Sequence, residues 1–259
     1  REIYIGNFIE TMKNLSSAGI NIICYNFMPV VDWTRTNLMY KYFDGSFCLR
    51  FDIIEFIIFD VFILKREDSK NDYLKEQLEL AEKKFISMKN KEKECLKKNI
   101  LQGLPGSMVN SYDIDNFKNE LLKYKDITKS ILRENLKYFL SRIIPIAIEL
   151  DLYLCIHPDD PPIPLFGIPR IVSNFEDLKY ICDCYDDEHN GITLCVGSLS
   201  SIVNNDLSEI INNLLNKINF VHLRNVIKDT TFLNISSFIE SDHLEGDVDM
   251  DSTIDSLLK

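Results

Sequence analysis

Apolar residues recur at Ile5, Phe8, Ile9, Met12 and Leu15, the three- and four-residue spacing of one helical face, so the chain starts inside an amphipathic helix. Ala18-Gly19 closes that helix, and the continuous apolar run Ile20 to Phe27 predicts a strand buried on both faces. A polar loop follows from Met28 to Asn37, then a short strand over Ser46 to Phe51 and a buried apolar helix over Ile53 to Leu64. Tyr73 to Ile100 predicts a charged helix whose Leu74, Leu78, Ala81, Phe85 and Met88 face one way. That run is too short for a sustained heptad seam, so it reads as a helix packed on its own domain. Gly103-Leu104-Pro105-Gly106 must end it. Residues 71–103 therefore read as a helical insertion.

Ile127 to Leu150 predicts a further helix, kinked at Pro145. The pattern then alternates. Strands are predicted over Leu152 to His157, Ile192 to Val196 and Phe220 to Leu223, with helices near Asn174 to Tyr185 and Ile202 to Lys217 between them. Such alternation implies parallel strands joined by helical crossovers, hence an open doubly wound sheet or a barrel. No Gly-rich phosphate loop follows any strand, which favours an α/β TIM (β/α)8 barrel. Only four or five of eight strands are found. The expectation is one TIM-barrel domain over residues 1–259, incomplete, with its first and last strands missing. The start at Arg1 inside a helix suggests that something precedes it.

Composition narrows the partners. At 46% apolar and 27% charged residues the chain has the makeup of an ordinary folded domain rather than a disordered one. A formal net charge of -11 with no basic stripe argues against nucleic acid. The longest apolar stretch, Ile53 to Leu64, is too short to span a bilayer and carries Glu55 and Asp60, so no membrane partner is expected. Seven irregularly spaced cysteines do not form a secreted disulfide framework, and a reducing cytoplasm fits them best. A homo-oligomer is expected, its size not readable from the sequence.

The chemistry gathers at three strand ends. His157, Cys195 and His222 lie at or beside the carboxyl ends of their strands, where TIM barrels build active sites. Side chains alternate along a strand, so Tyr153, Cys155 and His157 share one face, as do Thr193 with Cys195, and Phe220 with His222 and Arg224. Two imidazoles and a thiolate suit a divalent transition metal and leave room for oxygen ligands and substrate. Each residue singly is more often a satisfied core group; three equivalent positions favour a metal centre. The stiff segment Pro158-Asp159-Asp160-Pro161-Pro162-Ile163-Pro164 would hold carboxylates near the metal, or form a solvated turn. His189 lies on the amino-terminal side and receives no role. His243 follows the third ligand strand, where a polar contact and surface packing are both open.

The run from Ile23 to Thr36, Cys24-Tyr25-Asn26-Phe27-Met28-Pro29-Val30-Val31-Asp32-Trp33-Thr34-Arg35 at its heart, resembles the signature of the mannonate dehydratase family. The resemblance continues in order through Leu104-Pro105-Gly106, Ile156 to Pro162, Phe166 to Ser173, Thr193 to Ser198, Phe220 to Val226 and Gly246 to Met250. It implies a TIM barrel that dehydrates D-mannonate to 2-keto-3-deoxy-D-gluconate in hexuronate catabolism with Mn2+ or Fe2+. His157, Cys195 and His222 match the family's metal ligands. Zinc tolerates the same donors, so the residues alone do not fix the ion. Arg35 or Arg224 is the expected clamp on the substrate carboxylate, with Asn26, Trp33 and Asp159 as further substrate contacts. The family continues past the position of Lys259 into an Arg-Pro-Asp-His-Gly-Arg motif and a tyrosine that carry the fourth ligand and the acid–base groups. Within residues 1–259 no base is named, His243 being the fallback. The alternatives are a truncated, silent metal-binding chain and a metal-dependent sugar isomerase or epimerase on the same barrel.

Overall fold

The computed structural model describes residues 1–102, 114–202, 204–229 and 237–258; the expected break at Gly103-Leu104-Pro105-Gly106 lies outside them. α1 (Glu2–Ser17) and β1 (Ile22–Tyr25) open the chain, followed by β2 (Asn37–Lys41) and β3 (Phe47–Phe51). α2 (Ile53–Ile57) continues as π-helical turns over Ile58–Leu64, and α3 (Lys75–Ser87), α4 (Asn90–Gln102), α5 (Ile114–Leu122) and α6 (Lys129–Glu149) follow. The remainder runs β4 (Tyr153–Ile156), α7 (Phe175–Cys184), β5 (Asn190–Cys195), α8 (Val196–Ser200), α9 (Leu207–Leu214), β6 (Ile218–His222), β7 (Asn225–Asp229), β8 (Ser237–Ser241) and α10 (Met250–Leu257).

β1, β4, β5 and β6 form a parallel sheet in that order. Leu154, Ile156, Ile192 and Leu194 turn outward into a core shared with Ile5 and Met12 of α1, Leu136, Leu140 and Ile143 of α6, Ile181 of α7 and Ile210 of α9. Burial of these helical stripes is what holds the helices to the sheet, since short helices are marginal by themselves. Thr128, Asn174 and Asp206 start α6, α7 and α9 by accepting hydrogen bonds from first-turn amides. α6 continues through Pro145.

On the opposite face Cys155 and Thr193 of the central strands are buried, while the flanking strands are open. Ile22 is 42% exposed and Phe220 44%. The expectation that the strand of Ile20 to Phe27 is buried on both faces is therefore corrected: β1 is an edge strand that pairs only with β4 and buries only its outer face. The TIM barrel also takes a coarser form here. Among the described residues the parallel strands make a four-stranded, open half-barrel sheet in a mixed α/β fold.

A second sheet escaped the sequence reading. β2, β3, β8 and β7 form an antiparallel sheet in that order, with Phe51 opposite Phe238. Its alternation is blurred because apolar residues, Met39 and Phe47, occupy exposed positions on β2 and β3. Phe51 and Phe238 join Phe56, Phe59, Phe117 and Phe166 in a second, aromatic core. The predicted apolar helix lies in this core, and its buried Asp60 is satisfied by Arg66 and Tyr73. The helix expected over Tyr73 to Ile100 is two helices. Met88 is extended and ends α3, while the Glu92 carboxylate caps the Lys89 amide and starts α4. Leu78, Phe85 and Met88 pack on this core, which includes the helical segment Ile53–Leu64.

The chain passes from β6 to β7 through only Leu223 and Arg224, so the antiparallel sheet is tied to the carboxyl end of the parallel strands. There the loop after β1 meets the loop after β4, the Thr34 amide donating to the Asp160 carbonyl at 3.0 Å.

Candidate metal centre

His157 is the first residue past β4, while Cys195 and His222 are the last residues of β5 and β6. Cys195 pairs with His222 across the β5–β6 ladder, so both side chains leave the same face. The His157 amide donates to the Tyr25 carbonyl at 2.8 Å, which continues the β1–β4 ladder and fixes the third member. One ligand atom from each of the three residues lies within 4.8 Å of the others. That spacing is close to what one ion requires, since two donors at the ~2.0–2.3 Å typical of imidazole and thiolate ligands stand at most about 4.6 Å apart.

The electrostatics favour a ligand set over a packed core. Cys195 Sγ lies 3.4 Å from His222 Nδ1, and the two imidazole centroids are 5.9 Å apart. Burial alone would raise the Cys195 thiol, but hydrogen bonds from His157 and His222 and the Arg224 cation outweigh it and lower it to about 5. These partners favour the thiolate, the state a metal requires. Burial pulls His157 down, whereas the Cys195 sulfur outweighs burial and raises it. His157 Nδ1 lies 2.7 Å from the Pro158 carbonyl. A carbonyl only accepts, so Nδ1 carries a proton and Nε2 is the nitrogen left to offer a lone pair to a metal, the arrangement that outer partners impose on metal-binding histidines.

Behind the centre lies a charge network. Arg35 donates through Nη1 and Nη2 to the two Asp160 oxygens at 2.9 Å each, and Nη2 also reaches Glu240 Oε1 at 3.2 Å. Arg224 Nη1 donates to Asp160 Oδ2 at 2.8 Å and to Glu240 Oε1 at 3.0 Å. Burial disfavours the Asp160 carboxylate, but the two guanidiniums outweigh it and hold the group well below the usual carboxylate range.

This network bears on the expected substrate contacts. Arg35 is 1% exposed and gives both terminal nitrogens to Asp160, Glu240 and the Thr34 carbonyl. Arg224 holds the same carboxylates through Nη1 alone, gives Nη2 to Ser198 and keeps its side chain 16% exposed. Asp159 is wholly buried, accepting from the Val172 amide at 2.7 Å and the Ser173 hydroxyl at 3.0 Å, which pins the proline-rich loop. Burial raises its carboxyl. Asn26 and Trp33 do reach solvent on the strand-end side, Asn26 donating to Asp32 at 2.8 Å. His243 is exposed in the turn after β8, and its side chain is not part of the three-donor cluster. His189 stacks on Tyr153 and accompanies Asp187 at the amino-terminal end.

Sequence reasoning missed Asp160 as the hub, and Ser198 and Glu240 entirely. Asp160 was visible only as one of two loop aspartates. The Gly197-Ser198 pair, one residue beyond the neighbour of Cys195, was the one cue to a close approach there, and nothing local marked Glu240.

The profile of the D-mannonate dehydratase (UxuA) family matches residues 1–259. Among curated relatives, mannonate dehydratase 1 of Agrobacterium fabrum is 44% identical over 255 residues, which cover 98% of this chain and 63% of the relative. The mannonate dehydratase of Saccharophagus degradans is 42% identical over 255 residues with the same coverage, 98% and 63%. Both matches therefore span less than two thirds of the relative's length. The crystal structure of mannonate dehydratase from Streptococcus suis serotype 2 superposes with a TM-score of 0.71 at 33% identity, covering 100% of this chain and 59% of that one.

Proposed function

The chain belongs to the D-mannonate dehydratase family, and from that premise we propose that it serves a metal-dependent hydro-lyase which dehydrates D-mannonate to 2-keto-3-deoxy-D-gluconate in hexuronate catabolism. The observation that carries this reading is the convergence of His157, Cys195 and His222 at three adjacent strand ends. These residues would hold Mn2+ or Fe2+. When bound, such an ion supplies Lewis acidity toward substrate oxygens.

Dehydration of a sugar acid removes a proton beside a carboxylate and releases a hydroxyl as water, so the site must fix the substrate and tolerate developing negative charge. Asn26 and Trp33 stand at the open strand ends and are the proposed substrate contacts, an amide for hydroxyls and an apolar face for the carbon chain. Arg35, Asp159 and Arg224 act one layer behind. They hold the loops that carry His157 and its neighbours, and Arg224 contributes positive potential to the centre.

The same reading takes the half-barrel sheet as part of a TIM (β/α)8 barrel, supported by its parallel order and helix-covered outer face. A cytoplasmic setting is supported by seven unpaired cysteines. No helix among the described residues is long and apolar enough to cross a membrane. A homo-oligomer is supported by Met39, Phe43 and Phe47, all exposed on the β2–β3 hairpin.

The test measures bound metal and mannonate-dependent formation of a 2-keto-3-deoxy acid by the purified protein, beside the His157→Ala, Cys195→Ala and His222→Ala variants. Loss of metal in all three variants, with loss of any turnover, is expected. Metal retained in every variant would remove the centre, and a product that keeps all its oxygens would indicate an isomerase instead.

A further inference from the structure

Ser198 stands on the first turn after Cys195, wholly buried, with its hydroxyl oxygen 3.1 Å from Cys195 Sγ. Arg224 Nη2 lies 3.1 Å from the same oxygen. A guanidinium has donors and no acceptor, so toward Arg224 the Ser198 oxygen accepts. Its single proton is then free for one other partner. Cys195 Sγ, which carries no proton when it ligates a metal, can only accept it.

Arg224 is itself held from three sides. Asp160 and Glu240 take its Nη1 at 2.8 and 3.0 Å. Gly197 supplies the seat, since a Cβ there would stand 2.6 Å from Arg224 Nε and 2.8 Å from its carbonyl oxygen. A continuous line of contacts thus runs from Glu240 in the antiparallel sheet through Arg224 and Ser198 to the sulfur.

We propose that Ser198 is a positioning residue for the metal centre: with its oxygen oriented by Arg224, its hydroxyl donates to Cys195 Sγ, fixing the direction of the sulfur and withdrawing electron density from it. The inference rests on the proposed metal site. A hydrogen bond to a thiolate ligand makes it a weaker electron donor, which leaves the bound ion more electrophilic. It also stops the side chain from swinging away from His157 and His222.

The measurement is a cobalt(II) titration of metal-free protein, reading both affinity and the energy of the thiolate-to-cobalt charge-transfer band, for wild type, Ser198→Ala and Ser198→Thr. Ser198→Ala is expected to lose about 10- to 100-fold in affinity, the range for outer-partner substitutions. Its band should move to longer wavelength, because a more electron-rich sulfur gives up charge more easily. Ser198→Thr keeps the hydroxyl and should keep the wild-type band. An unmoved band in a folded Ser198→Ala protein, whatever its affinity, would overturn the proposal, as would a Ser198→Thr band that follows the alanine variant. If Ser198→Ala does not fold, the threonine variant decides alone. A wild-type protein that binds cobalt with no thiolate band, or not at all, would instead sink the metal-site reading, and this inference with it.

Discussion

Replacing Asp160 with alanine removes one of the two carboxylates that Arg35 and Arg224 share and leaves both guanidiniums on Glu240. The Arg35 side chain is 1% exposed and that of Asp160 7%, so water cannot take the place of the lost partner. Breaking a buried ion pair from one side costs about 3–5 kcal/mol, mostly the penalty of a stranded charge. With a urea slope near 3 kcal/mol/M, that loss lowers the unfolding midpoint by roughly 1–1.7 M. Urea unfolding followed by circular dichroism measures it. Lys75→Ala serves as the control, since Lys75 and Glu79 form an exposed pair at 3.8 Å whose loss should fall within about 0.5 kcal/mol. The pH dependence gives a second reading of the same group. Because the folded state depresses the Asp160 pKa, its contribution is complete above the unfolded value of about 3.9 and is lost as the pH falls toward the folded one. The gap between wild type and Asp160→Ala should stay level from pH 8 to about 5 and narrow in stronger acid. A cost under about 1 kcal/mol at pH 7, or a gap that closes already between pH 8 and 6, would refute the reasoning.

Three further outcomes follow from the structure. Leu140→Ala opens a void where α6 packs on the parallel sheet, and thermal or urea unfolding should show a loss of about 2–5 kcal/mol. Gly197→Ala forces its Cβ against Arg224, for which about 1–3 kcal/mol of strain is expected, and a crystal structure should show the guanidinium displaced. Cys195→Ser replaces a ready thiolate with a hydroxyl that does not ionise at neutral pH, so metal bound after dialysis should drop sharply while unfolding shows the fold retained.

The helices that cover the parallel sheet were legible because each must bury a stripe of residues at helical spacing, and that stripe is written locally. The cluster of the three proposed metal ligands was legible for a related reason. Strand alternation and strand ends follow from a two-residue period, so His157, Cys195 and His222 could be placed on one face without knowing which strands are neighbours. Strand boundaries slipped by one or two residues, as between the predicted Ile192 to Val196 and the observed Asn190–Cys195, because a buried run carries no polar mark at its ends. The helix expected from Ile202 begins only at Leu207.

What tertiary structure alone decided concerns partners distant in sequence. Arg35 and Asp160 are 125 residues apart, and Arg35 and Glu240 are 205. An arginine near a strand end reads equally well as a substrate clamp or as half of a buried pair, since both uses need the same side chain and differ only in what the fold sets opposite it. The antiparallel sheet β2-β3-β8-β7 belongs to the same class, for its strands gain their hydrogen bonds only when the segment after β6 returns to pair with the hairpin after β1. Local periodicity thus fixed which residues face one another's layer, whereas charge pairing and strand partnership depend on long-range closure, which leaves no periodic trace in the chain.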